Sequence, residues 1–168
     1  MTNLPWFGPG VVVALLAAVV AAIPLGRALG IRSVLAAATI FSLGLILAAT
    51  MTPLPPALAG GVGTGICDFS RVGPAPFEAL GEVNGTTLNI LLFIPLGLAV
   101  GLMAGSVRTA LVLFVSITLP FLIEALQLAI PLLARGCQSA DVVDNLTGLS
   151  LGLLIGRAFH VRSSLRRT

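Results

Sequence analysis

Five apolar stretches separated by short polar breaks dominate the pattern of this chain. A helix rises about 1.5 Å per residue and needs about 20 apolar residues to cross the hydrocarbon core of a bilayer. The pattern predicts spans over roughly 9–26, 33–52, 86–105, 109–131 and 142–158. The last is the shortest and opens on two carboxylates, Asp141 and Asp144. Pro95 and Pro120 lie inside spans, where each frees a backbone carbonyl that a neighbour or water must satisfy. They read either as packing kinks or as bends around a small outward-facing cavity.

Between the second and third spans, residues 53–85 form a connection of about 30 residues, a length more typical of functional or disordered loops than of simple links. Its many Pro and Gly residues predict tight turns and irregular backbone, with a short amphipathic piece around 76–83. Phe69, Phe77 and Leu80 are placed to dip into a membrane interface.

Composition narrows the class. Of 168 residues, 57% are hydrophobic and only 9% charged, with a mean hydropathy of +1.11. That excludes a soluble domain and leaves one transmembrane unit, residues 1–168. The fold class expected is all-α, an integral membrane bundle of about five helices. All nine basic residues are arginines. Arg27, Arg32, Arg108, Arg157, Arg162, Arg166 and Arg167 fall on one side of five crossings, and only Arg71 and Arg135 on the other. Positive residues stay cytoplasmic, so the N-terminus is expected outside and the basic tail, 157–168, inside against anionic lipid. This distribution accounts for the net charge of +3 without a nucleic-acid partner. MTNLPWFGPG carries no basic residue, which argues against a cleaved signal peptide, and Trp6 suits an interfacial belt.

Ionisable and amide side chains inside such spans are costly, and they gather at one depth. Converting position to depth puts Asn89 about 5 Å and Glu124 about 10 Å below the outer surface. Gln127 shares the face of Glu124, Arg135 stands in the following loop, and Asp141, Asp144 and Asn145 begin the fifth span. Asp141, Asn145, Gly148, Gly152 and Gly156 follow three- and four-residue steps and form one stripe, a small-xxx-small face suited to close helix packing. Asp144 sits one step around, at the mouth of the same group. Two bland readings stand beside a site. Acids in a first helical turn are favoured by the macrodipole, and interhelical amide bonds serve as polar glue. Cys67 and Cys137 both fall outside, where they form either a disulfide or two buried thiols.

N89-I-L-L-F-I-P-L-G97, I123-E-A-L-Q127, R135 with D141 six residues on, and N145-L-T-G148 with G152 together resemble the VanZ-like membrane protein family. The resemblance covers about 84–157. Gln138 departs from it, standing where the family often has an acid. The resemblance implies a small multi-helix envelope protein, one namesake member of which is linked to low-level teicoplanin resistance, and it supplies no reaction.

Three functions follow in order. The first is binding or shielding of a lipid-linked or peptide-bearing cell-envelope molecule, or a glycopeptide, with Arg135 on phosphate or carboxylate. The second is an enzyme modifying a lipid head group, with Glu124 or Asp141 as general base and Arg135 on a developing anion. The third is a small proton-coupled transporter using Glu124. Gly148-Leu149-Ser150-Leu151-Gly152 matches a nucleophile-elbow pattern but lies within a span rather than at a strand–helix turn. The lone His160 belongs to the basic tail, so zinc ligands are lacking. No metal and no cofactor are expected. The partner is the lipid bilayer, in a bacterial cytoplasmic membrane.

Overall fold

The computed structural model describes residues 6–165 other than Val83 and Ala104. Arg166 and Arg167 of the basic tail therefore lie outside the described residues. The chain is an all-α membrane bundle: α1 (Phe7–Leu29), α2 (Ser33–Thr50), a single turn α3 (Pro55–Leu58), α4 (Gly85–Gly101), α5 (Val107–Ala129) and α6 (Ser139–Leu165). Four of these, α1, α2, α5 and α6, are long and apolar enough to cross a membrane. Helix α4 is shorter at 17 residues, so it rises about 25 Å.

Local chemistry sets several boundaries. Helix α1 stops at Gly30, whose φ of 68° is left-handed, while the Ile31 N–H reaches back to the Gly26 carbonyl. Glycine adopts that conformation without a Cβ penalty. Asn84 and Ser106 cap α4 and α5 by accepting from the N–H groups of Thr87 and Thr109. Helix α6 corrects the expectation for the fifth span. It is the longest helix, 27 residues, because nothing after Gly156 breaks it and Arg157, Ala158 and Arg162 sustain a helix well. The amphipathic piece in the long loop is a 3-10 turn, Phe77–Gly81, with Val83 outside the described residues.

Small residues decide the packing. Helix α1 buries only Ala14, Ala18, Ala22 and Gly26, one residue per turn, against antiparallel α2, where a Cβ on Gly44 would strike Ala14. Most of the rest of α1 is apolar and exposed, including Val12, Leu16 and Val20, as a lipid-facing helix requires. Helices α4 and α6 run parallel and in register. A Cβ on Gly148 would run into the Ile90 carbonyl, on Gly152 into that of Ile94, and on Gly156 into that of Leu98. Gly97 answers from α4, against the Leu149 carbonyl. The glycine stripe of α6 thus packs within this chain. Around that seam Ile46, Phe93, Leu96, Val100, Ile123 and Leu149 form the core.

The bundle has two chemically different ends. At one, the long loop is tied to the α5–α6 connection. Cys67 is disulfide-bonded to Cys137, and β1 (Cys67–Asp68) pairs in parallel with β2 (Cys137–Gln138). Gly63 N–H donates to the Pro131 carbonyl at 2.7 Å, and Leu54 N–H to that of Leu133 at 3.1 Å. At the other, Arg108 donates to the Ala28 carbonyl and the His160 ring meets that of Leu102.

Candidate functional site

The polar side chains converge at the disulfide end, where α2 and α5 finish and α4 and α6 begin. Parallel packing of α4 on α6 brings their first turns side by side, and the 53–85 loop closes over them. Glu124, Gln127, Asp144 and Asn145 are consequently at most 6% exposed.

Each member has a distinct environment. Gln127 donates from Nε2 to the Thr50 carbonyl at 2.9 Å, joining α5 to the end of α2. Glu124 accepts at Oε2 from the backbone N–H of Gln138 at 2.7 Å. Position 138 therefore acts through its main chain, a role that does not need an acid there. Asn89 on α4 stands beside the Asp141 carboxyl. Asn145, one turn below Asp141 on the same face, is 1% exposed, and its Oδ1 has no hydrogen-bond partner. A buried acceptor without a donor costs about 1–3 kcal/mol.

The arginines are arranged differently from the sequence expectation. Arg135 turns toward α2, donating from Nε to the Thr52 carbonyl at 3.0 Å and from Nη2 to that of Ala49 at 2.6 Å. It satisfies the carbonyl groups that a helix C-terminus leaves open. Burial there pulls its guanidinium below the usual arginine range. The carboxylate partner is instead Arg71, from the long loop. Its Nη1 and Nη2 grip Asp144 at 3.0 and 2.6 Å, with Gly73 carbonyl and Thr86 hydroxyl as further partners. That bond holds the Arg71 guanidinium above its ordinary range. Ser139 fastens the same loop by donating to the Arg71 carbonyl at 2.7 Å. Asp144 is thereby sealed in the interior instead of sitting one step around at a cavity mouth, and Asp141 is the less buried of the pair. The signal that could have found Arg71 is charge arithmetic: only two arginines fall on this side of the chain, and one buried acid needed one of them.

Arg71–Asp144 is the one ion pair among the described residues. Glu124 and Asp141 thus have no cation in contact, although the Arg135 charge acts on both and that of Arg71 on Asp141. Together with the Asn145 carbonyl they make an acceptor-rich group suited to a donor, either an ammonium or a set of hydroxyl or amide N–H groups. Among the described residues no three of His, Cys, Asp and Glu stand close enough to hold a metal ion.

Comparison with known proteins adds one finding. A family model described as VanZ/LLP1 matches residues 39–160, from the middle of α2 to near the end of α6, including every member of the polar group. No curated protein and no solved structure matches the chain.

Proposed function

The chain belongs to the VanZ/LLP1 family, and from that premise we propose that it binds or shields a lipid-linked or peptide-bearing cell-envelope molecule at the outer face of the bacterial cytoplasmic membrane. Two features support the orientation. Arg27, Arg32, Arg108, Arg157 and Arg162 gather at the end away from the disulfide, which favours that end being cytoplasmic. The Cys67–Cys137 bond fits an oxidising compartment for the other.

The observation that carries the reading is the empty Asn145 Oδ1 one turn below Asp141, near a second acid, Glu124, that also lacks a cation in contact. Polar glue would be expected to spend its acceptors within the bundle. Here the arginines at this end are spent, while the Asn145 Oδ1 is spare and the Glu124 and Asp141 carboxyls are held without a cation in contact. That balance supports a ligand recognised by its N–H, ammonium or hydroxyl groups, which a peptide stem or sugar supplies, over one gripped at its phosphate by Arg135.

The same commitment of Arg135 to α2 weighs against the head-group-modifying enzyme, which asks it to stabilise an anion. A proton-coupled transporter needs a polar path through the bundle. The buried hydroxyls available, Thr39, Ser42, Thr50 and Ser116, bond back to carbonyls four residues earlier in their own helices.

Binding of an undecaprenyl-linked muropeptide precursor to the protein in nanodiscs tests the reading. Glu124→Gln and Asp141→Asn are each expected to weaken it by about 10- to 100-fold, the worth of a charge-assisted hydrogen bond, while insertion and unfolding temperature hold. Teicoplanin susceptibility of a host expressing the same variants gives a second readout. Unchanged affinity in both variants would contradict the proposal.

A further inference from the structure

The end of the bundle opposite the disulfide contains a cavity of about 540 Å³, within the range of small-molecule sites. It opens where the α1–α2 turn, the α4–α5 turn and the last turns of α6 meet. Its polar lining includes Arg32, Ser106, His160, Ser163 and Ser164. Its apolar lining includes Val34, which is exposed, and the half-buried Leu35 and Leu102. The cavity therefore offers partners to both a polar headgroup and an acyl chain.

Charge selects the kind of lipid. All six acids of the chain, Asp68, Glu78, Glu82, Glu124, Asp141 and Asp144, belong to the loop or to the helix segments at the disulfide end. The cavity end holds Arg27, Arg32, Arg108, Arg157 and Arg162 with no acid to neutralise them. Arg71, Arg108 and Arg135 use their guanidinium groups on the protein itself. Among the described residues nothing bonds the exposed guanidinium of Arg32, which lines the cavity. His160 is fixed in the wall at 3.1 Å from the Leu102 carbonyl, and since a carbonyl only accepts, Nδ1 is the donor.

We propose that this cavity binds the phosphate headgroup of an anionic lipid, with Arg32 on the phosphate and the acyl chains along Val34, Leu35 and Leu102. A planar guanidinium matches phosphate geometry bidentately, and basic pockets between membrane helices suit lipid phosphates. The site is separate from the acceptor group at the disulfide end and does not rest on any role assigned to it.

Native mass spectrometry of the detergent-solubilised full chain, titrated with phosphatidylglycerol or phosphatidylcholine, tests the assignment. The wild type is expected to retain one phosphatidylglycerol in preference to phosphatidylcholine. Arg32→Gln is expected to weaken retention about tenfold or more, whereas Arg162→Gln, which removes the same charge outside the cavity, changes it by less than about threefold. Val34→Trp, which enlarges an apolar lining residue without altering charge, is expected to reduce retention too and serves if Arg32→Gln fails to fold. Equal loss in Arg32→Gln and Arg162→Gln would reduce the effect to general surface charge and overturn the site. Equal retention of both lipids would also overturn it. Displacement of the lipid by inorganic phosphate would make the cavity a free-anion site and end the lipid assignment.

Discussion

Arg71→Met is expected to destabilise the folded chain by about 3–5 kcal/mol, the usual cost of removing one partner from a buried ion pair. Asp144 is 1% exposed and receives both arms of the Arg71 guanidinium across 73 positions of sequence. Without that partner its carboxylate stays enclosed between the first turns of α4 and α6, and the 53–85 loop loses its deepest anchor. The double variant Arg71→Met/Asp144→Leu is expected to recover most of the loss, because replacing a whole buried pair by apolar groups is often neutral. Thermal unfolding in detergent of the two single variants and the double one makes the comparison. A destabilisation that the double variant does not relieve would mean that Arg71 matters through its contacts with Gly73 and Thr86 instead.

Gly152→Val carries the second large effect, with an expected loss of about 3 kcal/mol or more from overpacking. A Cβ there would strike the Ile94 carbonyl and stand 2.7 Å from the Leu98 nitrogen. Both are backbone atoms of α4, so no side-chain rotation relieves the contact and the helices must separate. Separation would also loosen the neighbouring contacts of Gly148 and Gly156, and shift Asp144 and Asn145 at the top of the same helix. Gly136, with nothing within 4 Å, is the control. Gly136→Ala is expected to stay within about 0.5 kcal/mol of the parent. If both variants unfold alike, the parallel α4–α6 seam is not what holds the bundle together.

Much of this was legible in the sequence, and the reasons are physical. Bilayer thickness turns apolar length into helices, so the five main helices could be read directly, four of them long enough to cross a membrane and α4 shorter. The four-residue period of Gly148, Gly152 and Gly156 announced a close helix contact, although only the fold identifies α4 as the partner. Depth along a helix is also a matter of counting, which is how Asn89, Glu124, Gln127, Asp141, Asp144 and Asn145 could be assigned to one level. What counting cannot give is the partner of each group. Arg71 reaches Asp144 from an irregular loop whose path is fixed by the Cys67–Cys137 bond and a two-residue strand pairing, and no hydropathy signal encodes that path. Arg135 sits beside acids in sequence, yet the open carbonyls of Ala49 and Thr52 claim it. The length of α6 was missed for a related reason. Arg157 and Arg162 read as the start of an aqueous tail, but a helix leaving the bilayer continues until something stops it, and nothing does before Leu165.

The resulting picture is of a membrane bundle with opposite chemistry at its ends: buried acids and an unpartnered amide oxygen beneath a disulfide-tied loop, and unneutralised arginines around a cavity of about 540 Å³. The claim at its centre is that the first of these is kept for a ligand and not for stability. Asn145→Leu tests it most directly, by measuring unfolding temperature and affinity for the undecaprenyl-linked precursor on the same preparation. Leucine fills similar space and removes an acceptor that has no donor in the fold. An unfolding temperature at or above that of the parent, with affinity reduced about tenfold or more, is the expected result. A lowered unfolding temperature with affinity unchanged would contradict it.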